Sequence, residues 1–148
     1  GSEIIDTVKG ILAAGIPVVG HLGLTPQSVH KFGGYGVRAK EEAEADKLLK
    51  DAKLLNDAGV CALVLEKVPR SLAAEVSKQI EAPTIGIGAG CDTDGQVLVY
   101  ADALGMTHEF KPKFLRHFAD VSKCMTAGIT DYMKCVKEQT FPNADESY

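Results

Sequence analysis

Apolar runs alternate with helical patterns along this chain, and short glycine-rich or polar segments separate them. The first helical pattern covers Glu3 to Ala14, and Pro17 prevents it from continuing. The clearest helical pattern covers Lys40 to Ala58, where acidic residues fill the first turns, as the helix dipole prefers. A shorter pattern covers Ser71 to Ile80. These patterns predict three helices, each with an apolar stripe that faces a core.

Three short runs are apolar at nearly every position, which is typical of strands buried on both faces. They cover Ile16 to Leu22, Cys61 to Val68 and Pro83 to Gly88. Because a helix separates each run from the next, the pattern predicts a parallel sheet covered by helices. A fourth strand is predicted at Gln96 to Tyr100, although the short connection before it leaves open a helix over Gln96 to Leu104.

Two apolar groups near the C-terminus predict helices that pack outside the sheet. They are Phe114, Leu115 and Phe118, and then Ile129, Tyr132, Met133 and Val136.

The composition is that of an ordinary soluble globular domain, and it argues against several function classes. The chain has 148 residues, of which 45% are hydrophobic and 24% charged, enough for one domain with its own core. A net charge of −4 argues against nucleic acid or an anionic membrane as the main partner. No apolar run approaches the ~18 residues that a membrane-spanning helix needs. The 4 cysteines lack metal-binding spacing, which predicts free thiols in a reducing cytoplasm.

Candidate chemistry lies where the predicted strands end. In parallel α/β folds, ligands bind beyond the carboxyl ends of the strands. The first strand ends at His21, the second ends at Glu66, and the third ends in the glycine-rich segment Gly86 to Gly90. The rule therefore brings an imidazole, a carboxylate and a patch of free backbone N–H groups to one rim.

Glu66 is the most informative of these residues, because a carboxylate after a buried strand costs free energy unless it is paired or used. It is a candidate general base or acid. The structural alternative is a glutamate that caps neighbouring backbone or pairs with a lysine. His21 is a candidate donor to a carboxylate or ketone oxygen of a ligand, and a hydrogen-bonded core histidine is the alternative.

Two further patterns are weaker evidence for a functional site. Gly86 to Gly90 could hold a phosphate on its backbone N–H groups. Close packing of the backbone is the favoured interpretation, because neither a Walker lysine nor a ribose-binding acid accompanies the glycines. Asp92, Asp94 and Asp102 do not have the spacing of an EF-hand, which favours turn residues over a metal site.

Four motifs, in order along the chain, resemble the ketopantoate hydroxymethyltransferase family, also called 3-methyl-2-oxobutanoate hydroxymethyltransferase. They are GHLGLTPQSVHKFGGY (Gly20 to Tyr35), LVLEKVP (Leu63 to Pro69), PTIGIGAG (Pro83 to Gly90) and DGQVLVYADALG (Asp94 to Gly105). The PKF that begins at Pro112 and the FP at Phe141 fit the same family. The resemblance implies an α/β fold, a (β/α)8 TIM barrel of the phosphoenolpyruvate/pyruvate type.

The resemblance also implies an activity. The family transfers a hydroxymethyl group from 5,10-methylenetetrahydrofolate to the 2-oxo acid 3-methyl-2-oxobutanoate, in pantothenate and coenzyme A biosynthesis. It implies a need for Mg²⁺, tetrahydrofolate as the second small-molecule partner, and a homo-oligomer, commonly a decamer. Glu66 matches the family's catalytic base, and His21 matches the histidine that hydrogen-bonds the keto acid.

The resemblance covers only the last four βα units of such a barrel, which needs about 250 residues. We therefore expect residues 1–148 to form the C-terminal part of a single barrel domain, with residues 106–148 as a C-terminal helical extension. The Mg²⁺ ligands are expected in the N-terminal half, so the chain alone is expected to be inactive. A segment at Val37 to Lys40 departs from the family's common glutamine-glycine-arginine run, which leaves the role of that loop open.

Two other functions stay open. One is a non-catalytic half-barrel that serves as an assembly module, and exposed strand edges favour such association. The other is an independent flavodoxin-like phosphate binder that uses Gly86 to Gly90.

Overall fold

A parallel four-stranded sheet organises the first of two compact units in the computed structural model, which describes residues 1–109 and 111–148. This unit spans Gly1–Val97, and the second spans Leu98–Tyr148. The strands lie side by side in chain order: β1 (Val19–Gly23), β2 (Ala62–Glu66), β3 (Thr84–Ile87) and β4 (Gly95–Gln96). The predicted α/β class with a parallel sheet is confirmed.

The three predicted helices of this unit are present, each within two residues of its predicted ends. They are α1 (Ile5–Ala13), which follows a 3-10 turn at Ser2–Ile4, α2 (Glu42–Ala58) and α3 (Arg70–Gln79). Gly59 ends α2 with φ 94, a left-handed conformation that favours glycine at a helix C-terminus. A second 3-10 turn, Pro26–Ser28, follows β1.

The hydrophobic core lies on one face of the sheet only. Leu63 and Leu65 of β2 are fully buried, and Ala73 and Val76 of α3 pack in the same cluster. Residues between them along β2 are only half-buried. The prediction of strands buried on both faces is therefore wrong for this structure. Because alternate side chains point to opposite faces, helices cover one face and leave the other partly open.

The fourth strand is much shorter than predicted. Pairing with β3 ends at Gln96, and the chain then forms the short helix α4 (Tyr100–Ala103). The predicted strand Gln96 to Tyr100 is wrong beyond its first residue. Val97 and Val99 are 47% and 63% exposed, so the apolar run that suggested a strand lies on the surface.

The second unit contains α4, the long helix α5 (Val121–Lys137) and a 3-10 turn at Ala144–Glu146. The Asp120 side chain accepts a hydrogen bond from the N–H of Lys123 and caps α5. The predicted helical segment around Phe114 to Phe118 is wrong, because these residues form turns and irregular backbone. The later apolar stripe does lie on a helix, and its side chains are exposed: Ile129, Tyr132, Met133 and Val136.

All four cysteines are free, and Cys61, Cys91 and Cys124 are exposed. Within residues 1–109 and 111–148, no helix is both long enough and apolar enough to cross a bilayer.

Candidate active site

The register of the sheet places the ends of three strands at one rim. Gly23 pairs with Glu66, and Glu66 pairs with Ile87. His21 lies two residues before Gly23, so its side chain leaves the sheet on the same face as that of Glu66. This is the half-open face of the sheet, opposite the buried leucines.

The His21 imidazole and the Glu66 carboxylate are in contact. Nε2 of His21 lies 3.2 Å from Oε2 of Glu66, and the two side chains are 31% and 16% exposed. The pair is close enough to interact electrostatically, but it is not aligned as a hydrogen bond, and Nε2 is buried without a hydrogen-bond partner in the described chain. A buried polar atom without a partner is uncommon in proteins. The arrangement therefore offers a ligand oxygen a donor beside a base.

Close backbone packing fixes the position of Glu66. Its carbonyl oxygen accepts a hydrogen bond from the N–H of Leu24 at 2.9 Å. A Cβ atom on Gly23 would lie 2.2 Å from that same oxygen, and Gly23 has φ 88. Only glycine combines this conformation with this close approach. The strand ends are thus locked together directly below the two candidate side chains.

A cavity of about 390 Å³ opens beside His21, within the usual range of small-molecule sites. Part of its wall comes from the segment after β1, with Thr25, Ser28, Lys31, Phe32 and Arg38. Glu66 is not among the lining residues described for this cavity. The cavity therefore reaches the candidate pair from the histidine side.

Arg38 shapes the wall of this cavity. Its guanidinium lies 4.1 Å from the centre of the Phe32 ring and pairs with the carboxylate of Glu44. The same carboxylate accepts the N–H of Ala39 at 2.8 Å. Ala39 is buried and has φ 54, an uncommon conformation for alanine. Glu44 thus holds the backbone and the side chain at the end of the segment after β1.

An ion-pair group in the lining of the cavity joins the start of the chain to α2. Nζ of Lys47 lies 2.6 Å from Oδ2 of Asp51 and 3.0 Å from Oε1 of Glu3. Burial raises the pKa of Asp51, but hydrogen bonds from Lys47 and Ser2 outweigh it and hold that pKa below its ordinary value. The hydrogen bond to Asp51 raises the pKa of Lys47. This group therefore stays charged at neutral pH.

The glycine-rich segment packs closely, as the favoured interpretation predicted. A Cβ atom on Gly90 would lie 2.3 Å from Cγ of Arg70, and one on Gly86 would lie 2.7 Å from Oγ1 of Thr93. Side chains already occupy the space that a phosphate would need beside these two glycines.

The three aspartates have local roles. Asp94 accepts hydrogen bonds from the N–H and the hydroxyl of Thr84 at 2.8 and 2.9 Å, which lower its pKa. Asp92 pairs with Arg70, and Asp102 accepts from Thr107. The described residues contain no group of three or more His, Cys, Asp or Glu side chains placed to hold a metal ion.

The sequence did not reveal what Lys67 contacts. Lys67 follows Glu66 with φ 49, and its ammonium donates to the carbonyl of Tyr35. The only sequence signal is a cation directly after the candidate base. Its contacts depend on the conformations of separate loops, which no periodic pattern predicts.

Comparison with known proteins gives a consistent result. A family profile described as "Ketopantoate hydroxymethyltransferase" matches residues 1–144. A 3-methyl-2-oxobutanoate hydroxymethyltransferase from Phocaeicola vulgatus is 59% identical over 148 residues, which are 100% of this chain and 54% of that protein. Proteins of the same name from Bacteroides fragilis and Thermoanaerobacter sp. are 58% and 53% identical, with the same coverage.

This chain spans about half the length of the curated relatives that it matches. The matched region contains β1 to β4 and both residues of the rim pair, His21 and Glu66. With a family profile that covers nearly all of its length, the chain belongs to the ketopantoate hydroxymethyltransferase family.

Proposed function

We propose that this chain supplies the base-bearing half of a 3-methyl-2-oxobutanoate hydroxymethyltransferase. The reaction adds a hydroxymethyl group from 5,10-methylenetetrahydrofolate to the 2-oxo acid and gives 2-dehydropantoate, with water as the source of the hydroxyl oxygen. The observation that carries the proposal is the contact of His21 with Glu66 on one face of the sheet, at the carboxyl ends of parallel strands.

Each residue of the pair has a distinct role in this reaction. The Glu66 carboxylate takes the proton from C3 of the keto acid, and the electrons of the broken C–H bond form an enolate. The buried Nε2 of His21 donates a hydrogen bond to an oxygen of the keto acid and so orients it. The enolate carbon then bonds to the methylene carbon of the folate as one of the two C–N bonds of that methylene breaks. Water replaces the remaining folate nitrogen on this carbon, which gives the hydroxymethyl group and releases tetrahydrofolate.

The resemblance implies that bound Mg²⁺ would stabilise negative charge on the enolate. The roles of Glu66 and His21 depend on their own contacts and not on the metal.

We further propose that the fold is the C-terminal half of a (β/α)8 barrel. Four parallel strands in chain order, with helices on one face and a half-open second face, support this proposal. In a barrel, that second face would point to the interior, and residues at the carboxyl ends of its strands would lie at the active-site end. The single-domain assignment with an extension over 106–148, the cytoplasmic location and the decamer stay predictions.

The test compares the chain alone with a completed enzyme. In the completed enzyme, the N-terminal half of the protein from Phocaeicola vulgatus is fused to the chain, immediately before Gly1. This relative is chosen because the 148 residues that it shares with the chain are 59% identical. NMR in D₂O then follows the loss of the C3 proton from 3-methyl-2-oxobutanoate with Mg²⁺ present. We expect exchange with the completed enzyme and not with the chain alone. A folded completed enzyme that neither binds the keto acid nor exchanges its proton would favour a non-catalytic assembly module.

A further inference from the structure

Lys67 follows β2 at the rim and connects it to the end of β3 and to the segment after β1. Its N–H donates to the carbonyl of Ile87 at 2.8 Å, and its own carbonyl accepts from the N–H of Arg38 at 2.7 Å. Its ammonium donates to the carbonyl of Tyr35. The left-handed φ of 49 is uncommon for lysine, and such conformations persist where surrounding contacts enforce them.

The loop that Lys67 reaches contains two glycines in conformations that other residues rarely adopt. Gly33 and Gly34 have φ 70 and 130, and glycine adopts many other conformations as readily. The hydrogen bonds described for residues 29–37 reach no further along the chain than Pro26, apart from the one from Lys67 to Tyr35. The loop also carries Lys31 and Phe32, which line the cavity beside His21.

We infer that Lys67 is a positioning residue for keto-acid binding, an inference that rests on the function proposed above. Its ammonium holds the loop of residues 29–37 over the cavity. Its backbone joins that loop to the peptide next to Glu66. Removal of the ammonium releases the loop while Glu66 and His21 stay in place. Binding of the keto acid should therefore weaken, whereas proton transfer from bound keto acid should not.

Kinetics of C3 proton exchange in the completed enzyme test whether Lys67 affects binding and not proton transfer. Lys67→Met should raise KM about tenfold, the effect of losing one charge-assisted hydrogen bond. The kcat should stay within about twofold, because no group that touches the reacting atoms changes. Lys67→Arg should restore most of the binding, since it keeps a cation of similar reach. The matched control is Lys53→Met, which removes an exposed lysine of α2 that pairs only with Asp57 among the described residues.

Lys67→Gly separates the side chain from the backbone strain. Glycine accepts the left-handed conformation, so this variant should fold at least as well as the unmodified protein and still show the raised KM. An unchanged KM in both Lys67→Met and Lys67→Gly would overturn the inference, as would a fall in kcat with KM unchanged.

Amide hydrogen exchange of the chain provides a readout that needs no activity. Peptides from residues 29–37 should lose protection in Lys67→Met and keep it in Lys53→Met. Equal protection of these peptides in the two variants would overturn the inference that Lys67 holds the loop. If the unmodified completed enzyme shows no proton exchange, the proposed function fails, and the protection result still decides whether Lys67 holds the loop.

Discussion

Replacing Glu66 with glutamine removes the proposed base and keeps the size of the side chain. A positioned general base contributes about 10²–10⁴ to a rate. Proton exchange at C3 of the keto acid should fall by that factor in the completed enzyme. Binding of the keto acid should change much less, because His21 and the cavity that it lines are unaffected.

The cost of the same substitution to folding is small, and the structure gives its size. The His21–Glu66 contact joins side chains that are 31% and 16% exposed, and it lacks an aligned hydrogen bond. Such a contact contributes about 0–1 kcal/mol, which corresponds to a Tm change of at most about 4 °C. Lost activity in Glu66→Gln would therefore not reflect unfolding.

The assay is ¹H NMR of 3-methyl-2-oxobutanoate in D₂O, with calorimetry of the keto acid and a thermal melt on the same samples. Glu81→Gln is the matched control, because Glu81 is exposed and lies between α3 and β3, before the amino end of the strand. Retained exchange in Glu66→Gln would refute the assignment of Glu66 as the base. A Tm drop well beyond the expected range would refute the description of the contact as weak.

Three further predictions follow from the same geometry. His21→Ala should weaken keto-acid binding about 10–100-fold with little change in Tm; unchanged affinity by calorimetry would contradict its role. Gly23→Ala should lower the free energy of unfolding by about 1–3 kcal/mol, because its Cβ would meet the Glu66 carbonyl; an unaltered urea midpoint would argue against this close approach. Asp51 has a folded-state pKa below its ordinary value, so its contribution to stability is present above about pH 4 and is lost as the pH falls through the folded-state value. Asp51→Asn should therefore lower the free energy of unfolding at pH 7 and reduce its loss between pH 7 and pH 3. An equal loss between these two pH values in both proteins, measured by urea unfolding, would contradict this.

Much of the first unit could be predicted from periodicity. The helices α1 to α3 and the strands β1 to β3 each have a hydrophobic pattern long enough to predict the element. The parallel arrangement of the strands follows from their alternation with the helices. That order also predicts the meeting of His21 and Glu66, because the ends of neighbouring parallel strands share one edge. The residue types alone indicated a donor beside a base.

The remaining differences have physical causes. The apolar run at Val97 and Val99 lies on the surface, and hydrophobicity alone does not distinguish surface from core. The apolar runs predicted strands buried on both faces, but one face of the sheet is half-open here. Apolar residues on that face agree with the proposal that it faces the interior of a barrel. The contacts of Lys67 depend on loop conformation and on a side chain that crosses between loops, so no local pattern could reveal them.

The order of the strands has a kinetic consequence. Each strand pairs with the next one along the chain, so Val19 meets Ala62 and Leu63 meets Thr84. When a ribosome releases the chain, every new strand finds its partner already available, and the entropy lost in each ring closure stays modest. This part of the protein can therefore grow strand by strand during translation, without waiting for a distant segment to complete the sheet.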